Sequence, residues 1–191
     1  MADADAHALD ELFNPLTGLE DRFEGYKAEI VDGCVYMAPQ REAHWRTSRW
    51  IVRAVEDRFG MCAKVYSGVR IYLPSLPGGD LNGFAPDVMK LRDGAKKDDQ
   101  GRWRHQDVEF VAEVISKGTA VYDYGPKKEA YALAEVPVYL IADPYLGKAR
   151  VFTRPKDGDY VYDLSITYGG DIDLTGTSLD LTLKTDEFPR D

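Results

Sequence analysis

Positive charge is in short supply. The chain of 191 residues has 24 Lys or Arg against 33 Asp or Glu, a net charge of −9. Proteins that grip nucleic acid nonspecifically carry a basic surface, so this balance counts against strong nonspecific DNA binding. Much of the acid is terminal, at Asp3, Asp5, Asp10 and Glu11 and again at Asp186, Glu187 and Asp191. The middle keeps local basic clusters, Arg46/Arg49/Arg53, Lys96/Lys97, Arg102/Arg104 and Lys127/Lys128. Cysteine is almost absent. Cys34 and Cys62 make neither a close-spaced metal motif nor a disulfide framework, and read as two reduced, structural thiols. With only three histidines besides, no zinc site is composed. No apolar run approaches the roughly 18 residues needed to span a bilayer, which excludes a membrane helix. The acidic opening lacks the basic and apolar regions of a signal peptide, so a cytoplasmic protein is expected. There is no phosphate-cradling P-loop, since Leu76-Pro77-Gly78-Gly79 is only turn-rich. Internal repeats, low-complexity tracts and interdomain linkers are missing too.

What is present is globular. Apolar residues make up 44% and aromatics 12%, enough to build a core. The expected organisation is a short N-terminal segment, 1–25, then one domain, 26–185, then a tail, 186–191. A short helix is expected around Ala8–Phe13. Tyr26–Ala38 reads as a hairpin, two alternating runs joined at Asp32-Gly33, with Glu29 in its first strand. Gln40–Phe59 has helical spacing, with Trp45, Ser48, Ile51, Val52, Val55 and Phe59 as the stripe and Gly60 as the stop. Ala63–Leu73 reads as a strand pair or one bulged strand broken at Ser67-Gly68. Pro74–Gly83 is a Pro/Gly loop, Phe84–Leu91 a strand entered through Pro86, and Arg92–Arg104 a charged excursion. Further strands are expected at Arg150–Thr153, Tyr160–Thr167 and Leu179–Leu183.

The stretch from Asp107 to Pro144 organises the rest. It reads as strand, short connection, helix and strand. Asp107–Ile115 alternates, which puts Glu113 on the same face as Val111 and Ile115. A carboxylate among apolar neighbours is costly unless a metal, a Lys or an Arg meets it. A helix over 123–135 follows, with Asp123 as its N-cap and Pro126 in its first turn. Lys127, Ala130, Tyr131 and Ala134 share one face of that helix, so Lys127 is expected inward and Lys128 outward. Val136–Ala142 is short and almost wholly apolar, as in a strand covered on both faces.

Asp87 and Glu113 thus fall on adjacent strand candidates, with Lys127 beyond them. Two converging carboxylates provide hard oxygen ligands for Mg²⁺, and a nearby lysine can orient or deprotonate an attacking water or stabilise a charged transition state. Spacing alone leaves a structural alternative open, in which Asp87 caps a turn and Glu113 pairs with Lys127 for stability. His44 at a helix start suits either phosphate contact or capping. Ser116 suits a turn or a phosphate, Tyr131 suits packing with a bonded hydroxyl, and Trp45, Trp50 and Trp103 suit core packing or base stacking.

Several of these residues fall in a known order. Pro86-Asp87, then Glu113-Val114-Ile115-Ser116, then Asp123, Lys127 and Tyr131, then Val138–Pro144 resemble the Uma-two family of restriction-endonuclease-like proteins. Glu29–Gly33 and His44 are similar to that family's opening hairpin and helix start. The likeness covers about residues 26–166. It implies the PD-(D/E)XK nuclease fold, an α/β domain with a central mixed sheet flanked by helices, an N-terminal hairpin and C-terminal strands. It further implies an endonuclease that hydrolyses phosphodiester bonds in DNA with Mg²⁺, or Mn²⁺ in its place. In that resemblance Asp87, Glu113 and Lys127 are the catalytic set, Asp87 and Glu113 hold the metal, and Glu29 is a further metal-shell carboxylate. The usual lysine two residues after the second acid is replaced here by Ile115, and the resemblance puts the lysine on the following helix, at Lys127. DNA is the implied partner, no membrane is involved, and a homo-oligomer is compatible with the sequence.

Two rivals stand beside this expectation. One is a nuclease-fold module without catalysis that binds nucleic acid or a protein partner, which the net charge and Ile115 favour. The other is a hydrolase using its two carboxylates as acid and base, as glycosidases do. An inward lysine argues against it by keeping both acids ionised.

Overall fold

The computed structural model describes Glu11, residues 24–73 and residues 81–191. The helix expected around Ala8–Phe13 lies outside the described residues apart from Glu11, as does most of the Pro/Gly loop. Tyr26–Val31 (β1) and Cys34–Pro39 (β2) form the expected hairpin. Its turn residues, Asp32 and Gly33, have φ of 48° and 71°. Positive φ at both positions is what a tight two-residue hairpin turn demands, and Asp-Gly adopts it at low cost.

Glu42–Phe59 (α1) follows, closed by Gly60, whose N–H reaches the Glu56 carbonyl. The inner face of α1 is His44, Thr47, Ser48, Ile51 and Val55. This corrects the expected stripe at one end: Trp45 is 62% exposed, because the helix turns His44 inward instead. The guanidinium of Arg49 stacks over the Trp45 ring at 5.1 Å and covers part of it.

Four short strands come next: Val65–Tyr66 (β3), Ile71–Leu73 (β4), Asn82–Phe84 (β5) and Val88–Leu91 (β6). Two corrections arise here. Phe84–Leu91, expected as one strand, is divided between two sheets, and so is Ala63–Leu73, expected as a strand pair or one bulged strand. Asn82–Phe84 is also strand where loop was expected. The reason is local. Pro86 has no N–H for a ladder, so the chain leaves one sheet at Phe84 and joins the other at Val88. The second crossing lies beside the first, with the Gly68 N–H bonded to the Pro86 carbonyl.

Val108–Val114 (β7), Val138–Asp143 (β8), Lys148–Lys156 (β9) and Asp159–Thr167 (β10) complete a six-stranded mixed sheet in the order β10-β9-β8-β7-β6-β3. A four-stranded sheet, β2-β1-β5-β4, packs alongside. Among the described strands only β7 and β8 run parallel, which requires a crossover. Ala120–Tyr124 (α2) and Pro126–Leu133 (α3) supply it. The single helix expected over 123–135 is therefore two, and Asp123 lies buried within α2 rather than capping a helix. Asp171–Asp173 (β11) pairs with Thr182–Lys184 (β12), which replaces the strand expected at Leu179–Leu183.

The alternation of β7 divides the core. Val111 and Ile115 pack with Met89, Tyr131, Tyr139, Ile141 and Phe152 on the side of α3. Phe110, Ala112 and Val114 pack with Ile51, Val55 and Leu140 on the side of α1. Residues 186–191, expected as a tail, dock on the domain: Phe188 is buried edge-on to Tyr168, and the Asp191 N–H meets the Pro144 carbonyl. Cys34 and Cys62 are free as expected, but exposed, so neither has a packing role. Among the described residues no helix is long and apolar enough to cross a membrane. The fold is a mixed α/β one, with a mixed sheet between helices.

The break between α2 and α3 rests on a close approach. A Cβ at Gly125 would lie 2.9 Å from the Val121 carbonyl oxygen, a backbone atom that cannot swing aside. Gly125→Ala should therefore lower stability by about 1–3 kcal/mol in urea denaturation. A variant as stable as the wild type would show that the two helices tolerate a side chain at their junction.

Candidate active site

Four carboxylates and two ammonium groups meet at the end of β7, nearly all out of solvent. Asp87 precedes β6 on the Met89 face, Glu113 lies in β7, Glu29 in β1 and Asp123 in α2. Their exposures are 2%, 1%, 7% and 5%. The alternation that aims Val111 and Ile115 into the core aims Glu113 there too. It stays charged because cations reach it. Lys127 Nζ lies 2.8 Å from Glu113 Oε1, 2.9 Å from Glu29 Oε2 and 3.1 Å from Asp123 Oδ1. The Tyr131 hydroxyl donates to Glu113 Oε1 at 2.8 Å.

The second cation is Lys27, which the sequence does not single out. Its Nζ is 3.2 Å from Asp87 Oδ1, 3.4 Å from Glu113 Oε2 and 3.7 Å from Glu29 Oε1. One signal was there: Lys27 and Glu29 are two apart in a strand and so share a face. Which end of which sheet that face would meet was not.

Backbone donors fix the acids from the other side. The Val114 N–H donates to Asp87 Oδ2 at 2.7 Å, and the Ala85 N–H to Glu29 Oε1 at 2.8 Å. Of the residues singled out in sequence, Asp87, Glu113, Lys127 and Glu29 are thus brought together. Lys128 points away and pairs with Asp159 at 2.8 Å near the surface. Ile115, two residues after Glu113, is buried in the apolar core. Ser116 shares a hydrogen bond with Thr119 in the turn after β7. His44 is buried, and its Nδ1 has no hydrogen-bond partner. Burial lowers its pKa, against the pull of Asp87, which favours the neutral imidazole.

The charges settle unequally. Burial would raise the Glu113 carboxyl, but Lys127, Lys27 and the Tyr131 hydroxyl outweigh it and hold it down at about 2. Burial also opposes the charge on both lysines. Asp123, Glu113 and Glu29 override it at Lys127, and Asp87, Glu113 and Glu29 override it at Lys27, so both stay protonated. Asp123 goes the other way. Burial, with Glu113 and Glu29 nearby, outweighs Lys127 and pushes its carboxyl up to about 7. A cavity of about 30 Å³ opens among Lys27, Glu29, His44, Asp87, Glu113 and Lys127, room for a water or two or a single ion.

The model of the Uma2 family, described as "Putative restriction endonuclease", matches residues 11–181. Among solved structures, "a putative nuclease belonging to DUF820" from Anabaena variabilis ATCC 29413 aligns with a TM-score of 0.62. That alignment covers 84% of this chain and 88% of that one at 11% identity, a likeness of fold. No curated protein matches.

Two substitutions test the network. Lys127→Met would leave Glu29, Glu113 and Asp123 without their shared cation, and should cost about 3–5 kcal/mol in urea denaturation. A loss under about 1 kcal/mol would mean the acids shed their charge freely. Asp123→Asn tests the raised carboxyl. The folded state keeps a proton that the unfolded chain releases from pH 3.8, until it too lets go at about 7. Stability should therefore fall as pH rises through that window, and fall less in Asp123→Asn. Equal slopes for the two proteins would show that Asp123 titrates as an ordinary carboxylate.

Proposed function

The chain belongs to the Uma2 family of restriction-endonuclease-like proteins, and from that membership and the site geometry we propose that it is a metal-dependent endonuclease hydrolysing phosphodiester bonds in DNA. The family and the solved neighbour support a nuclease-like function in general. The observation that carries the finer reading is a convergence. Asp87 and Glu113 each commit one oxygen to fixed donors, Val114 N–H in one case, Tyr131 and Lys127 in the other. Each turns its remaining oxygen towards one point, where a cation, the Lys27 ammonium, sits within 3.4 Å of both.

Two carboxylate oxygens facing one positive charge fit Mg²⁺ or Mn²⁺, hard cations that use few protein carboxylates and complete their shell with water and phosphate. Among the described residues no three His, Cys, Asp or Glu side chains are grouped to hold an ion unaided. Asp87 and Glu113, whose free oxygens face one point, are the two ligands we assign. Glu29, whose oxygens already take the Ala85 N–H and Lys127, completes the acidic wall. An ion held by Asp87 and Glu113 would supply an acidified water and neutralise charge on the phosphate.

The chain's own residues do the rest. Lys127, held protonated by three acids, serves as a fixed positive charge that orients the water or meets the phosphate, not as a base. Tyr131 and the Val114 N–H keep the two acids from rotating. His44 lines the cavity with a free Nδ1 and suits a hydrogen bond to water or substrate. For DNA, the outer face of α1, the helix whose His44 lines the cavity, carries exposed Trp45, Arg46, Arg49 and Arg53. Such cation–aromatic stripes meet phosphates and bases without needing a basic protein overall. The cell compartment we infer is the cytoplasm. The non-catalytic alternative keeps one specific support, the apolar Ile115 where a lysine is usual.

Cleavage of plasmid and oligonucleotide DNA with and without Mg²⁺ or Mn²⁺ decides between them. Wild type should cut only with the metal, and Asp87→Asn and Glu113→Gln should each lower the rate at least about 100-fold while staying folded by circular dichroism. Cutting that survives both substitutions would remove this site from the chemistry. A folded wild type that binds Mn²⁺ and DNA yet never cuts would favour the binding module. Arg49→Ala should weaken DNA binding and reduce its salt dependence by about one counter-ion. An unchanged salt slope would take the α1 face out of the DNA contact.

A further inference from the structure

Lys27 stands in the one place the proposed reaction needs for something else. Its ammonium faces Asp87 Oδ1 and Glu113 Oε2, the oxygens left over once the fixed donors have taken the others. Glu29 Oε1 closes the third side. A divalent ion held by those two oxygens and the ammonium cannot occupy the same point, and like charges a few ångströms apart repel strongly where water is excluded.

The two lysines differ in how firmly they are held. Lys127 has three acids at 3.1 Å or less, and it takes the opposite oxygen of Glu113. Lys27 has longer contacts, 3.2–3.7 Å, and its side chain keeps 11% of its surface in solvent. Its flexible four-carbon stem lets the ammonium withdraw towards that solvent without moving the strand. The register Lys27↔Ala38 keeps β1 in the hairpin meanwhile.

We propose that Lys27 is a tethered competitor for the divalent cation: it neutralises Asp87 and Glu113 while the site lacks metal, and it leaves their shared oxygens for metal to bind. This rests on the metal-dependent reading above and adds its regulation. The acids need no metal to stay buried and charged, so the protein folds before loading, and metal binds more weakly than the two acids alone would allow. Lys127, bound elsewhere, stays in place throughout.

The test is Mn²⁺ binding to the intact chain by titration calorimetry, which needs no substrate. Lys27→Met removes the charge and should bind Mn²⁺ at least about tenfold more tightly than wild type. Lys27→Arg keeps the charge and should bind no more tightly than wild type. Without metal, Lys27→Met should melt below wild type, and Mn²⁺ should raise its melting temperature by more. If Lys27→Met is too unstable to purify, Lys27→Gln, neutral but able to donate to the acids, takes its place with the same expected order. Wild-type or weaker affinity in the neutral variant overturns the competition and leaves the metal site standing. No Mn²⁺ binding by wild type or any Lys27 variant overturns the metal reading itself, and this inference with it.

Discussion

A buried carboxylate needs a cation, and Glu113 has two. At 1% exposure in the middle of a sheet, it would be expected to shed its charge, yet two ammonium groups hold it ionised. Everything near it follows from that need. Lys127 reaches one oxygen from α3 and Lys27 the other from β1. Those lysines, being buried, need further acids, which Glu29, Asp87 and Asp123 provide. A pair would have been hard to satisfy in so little water. The network closes because each ammonium is shared among several acids, and Asp87, Glu29 and Glu113 are each pinned by a further donor.

The architecture exists to bring these parts to one place. They come from four separate stretches of chain: the hairpin, the approach to β6, the end of β7, and the crossover helices. Pro86 carries the chain from the small sheet to the large one and sets Asp87 at the junction, where the Val114 N–H receives it. The parallel pairing of β7 with β8 obliges the chain to cross over, and the crossover lies above the acid-bearing end of β7. Gly125 divides it into two short helices, so that Asp123 and Lys127 both turn inward across a single helical turn's spacing. The aromatic rings of Phe84, Tyr131, Tyr139 and Phe152 fill the space beneath and exclude water from it.

The position two residues after Glu113 is apolar. A strand alternates, so a lysine at 115 would share the face of Glu113, and Ile115 serves packing there instead. A positive charge is then delivered from a neighbouring element, by a longer path and with a different approach. Supply from α3 leaves the ammonium locked by three acids, a fixed electrostatic feature. Supply from β1 is looser, with contacts of 3.2–3.7 Å. The exposed face of α1 carries Arg46, Arg49 and Arg53 in a chain that is acidic overall.

By itself the sequence determined what is local. Alternation put Glu113 among apolar neighbours, Asp32-Gly33 made the hairpin turn, and helical spacing turned Lys127 inward and Lys128 outward. Each depends only on the period of a strand or a helix, or on the φ that two residues accept, and so is written within a few residues of itself. Tertiary structure decided the rest. Trp45 is out and His44 in because the docking angle of α1, not its hydrophobic pattern, chooses the inner face. The strand expected through Pro86 belongs to two sheets because pairing partners lie far off in the chain. Asp123 looked like a cap, since a short polar residue ahead of Pro126 has that local use; its burial comes from what packs over it. Lys27 is the clearest case. Within its own strand only the face it shares with Glu29 marks it, and only the meeting of β1 with the ends of β6 and β7 places its charge between Asp87 and Glu113, 60 and 86 positions away.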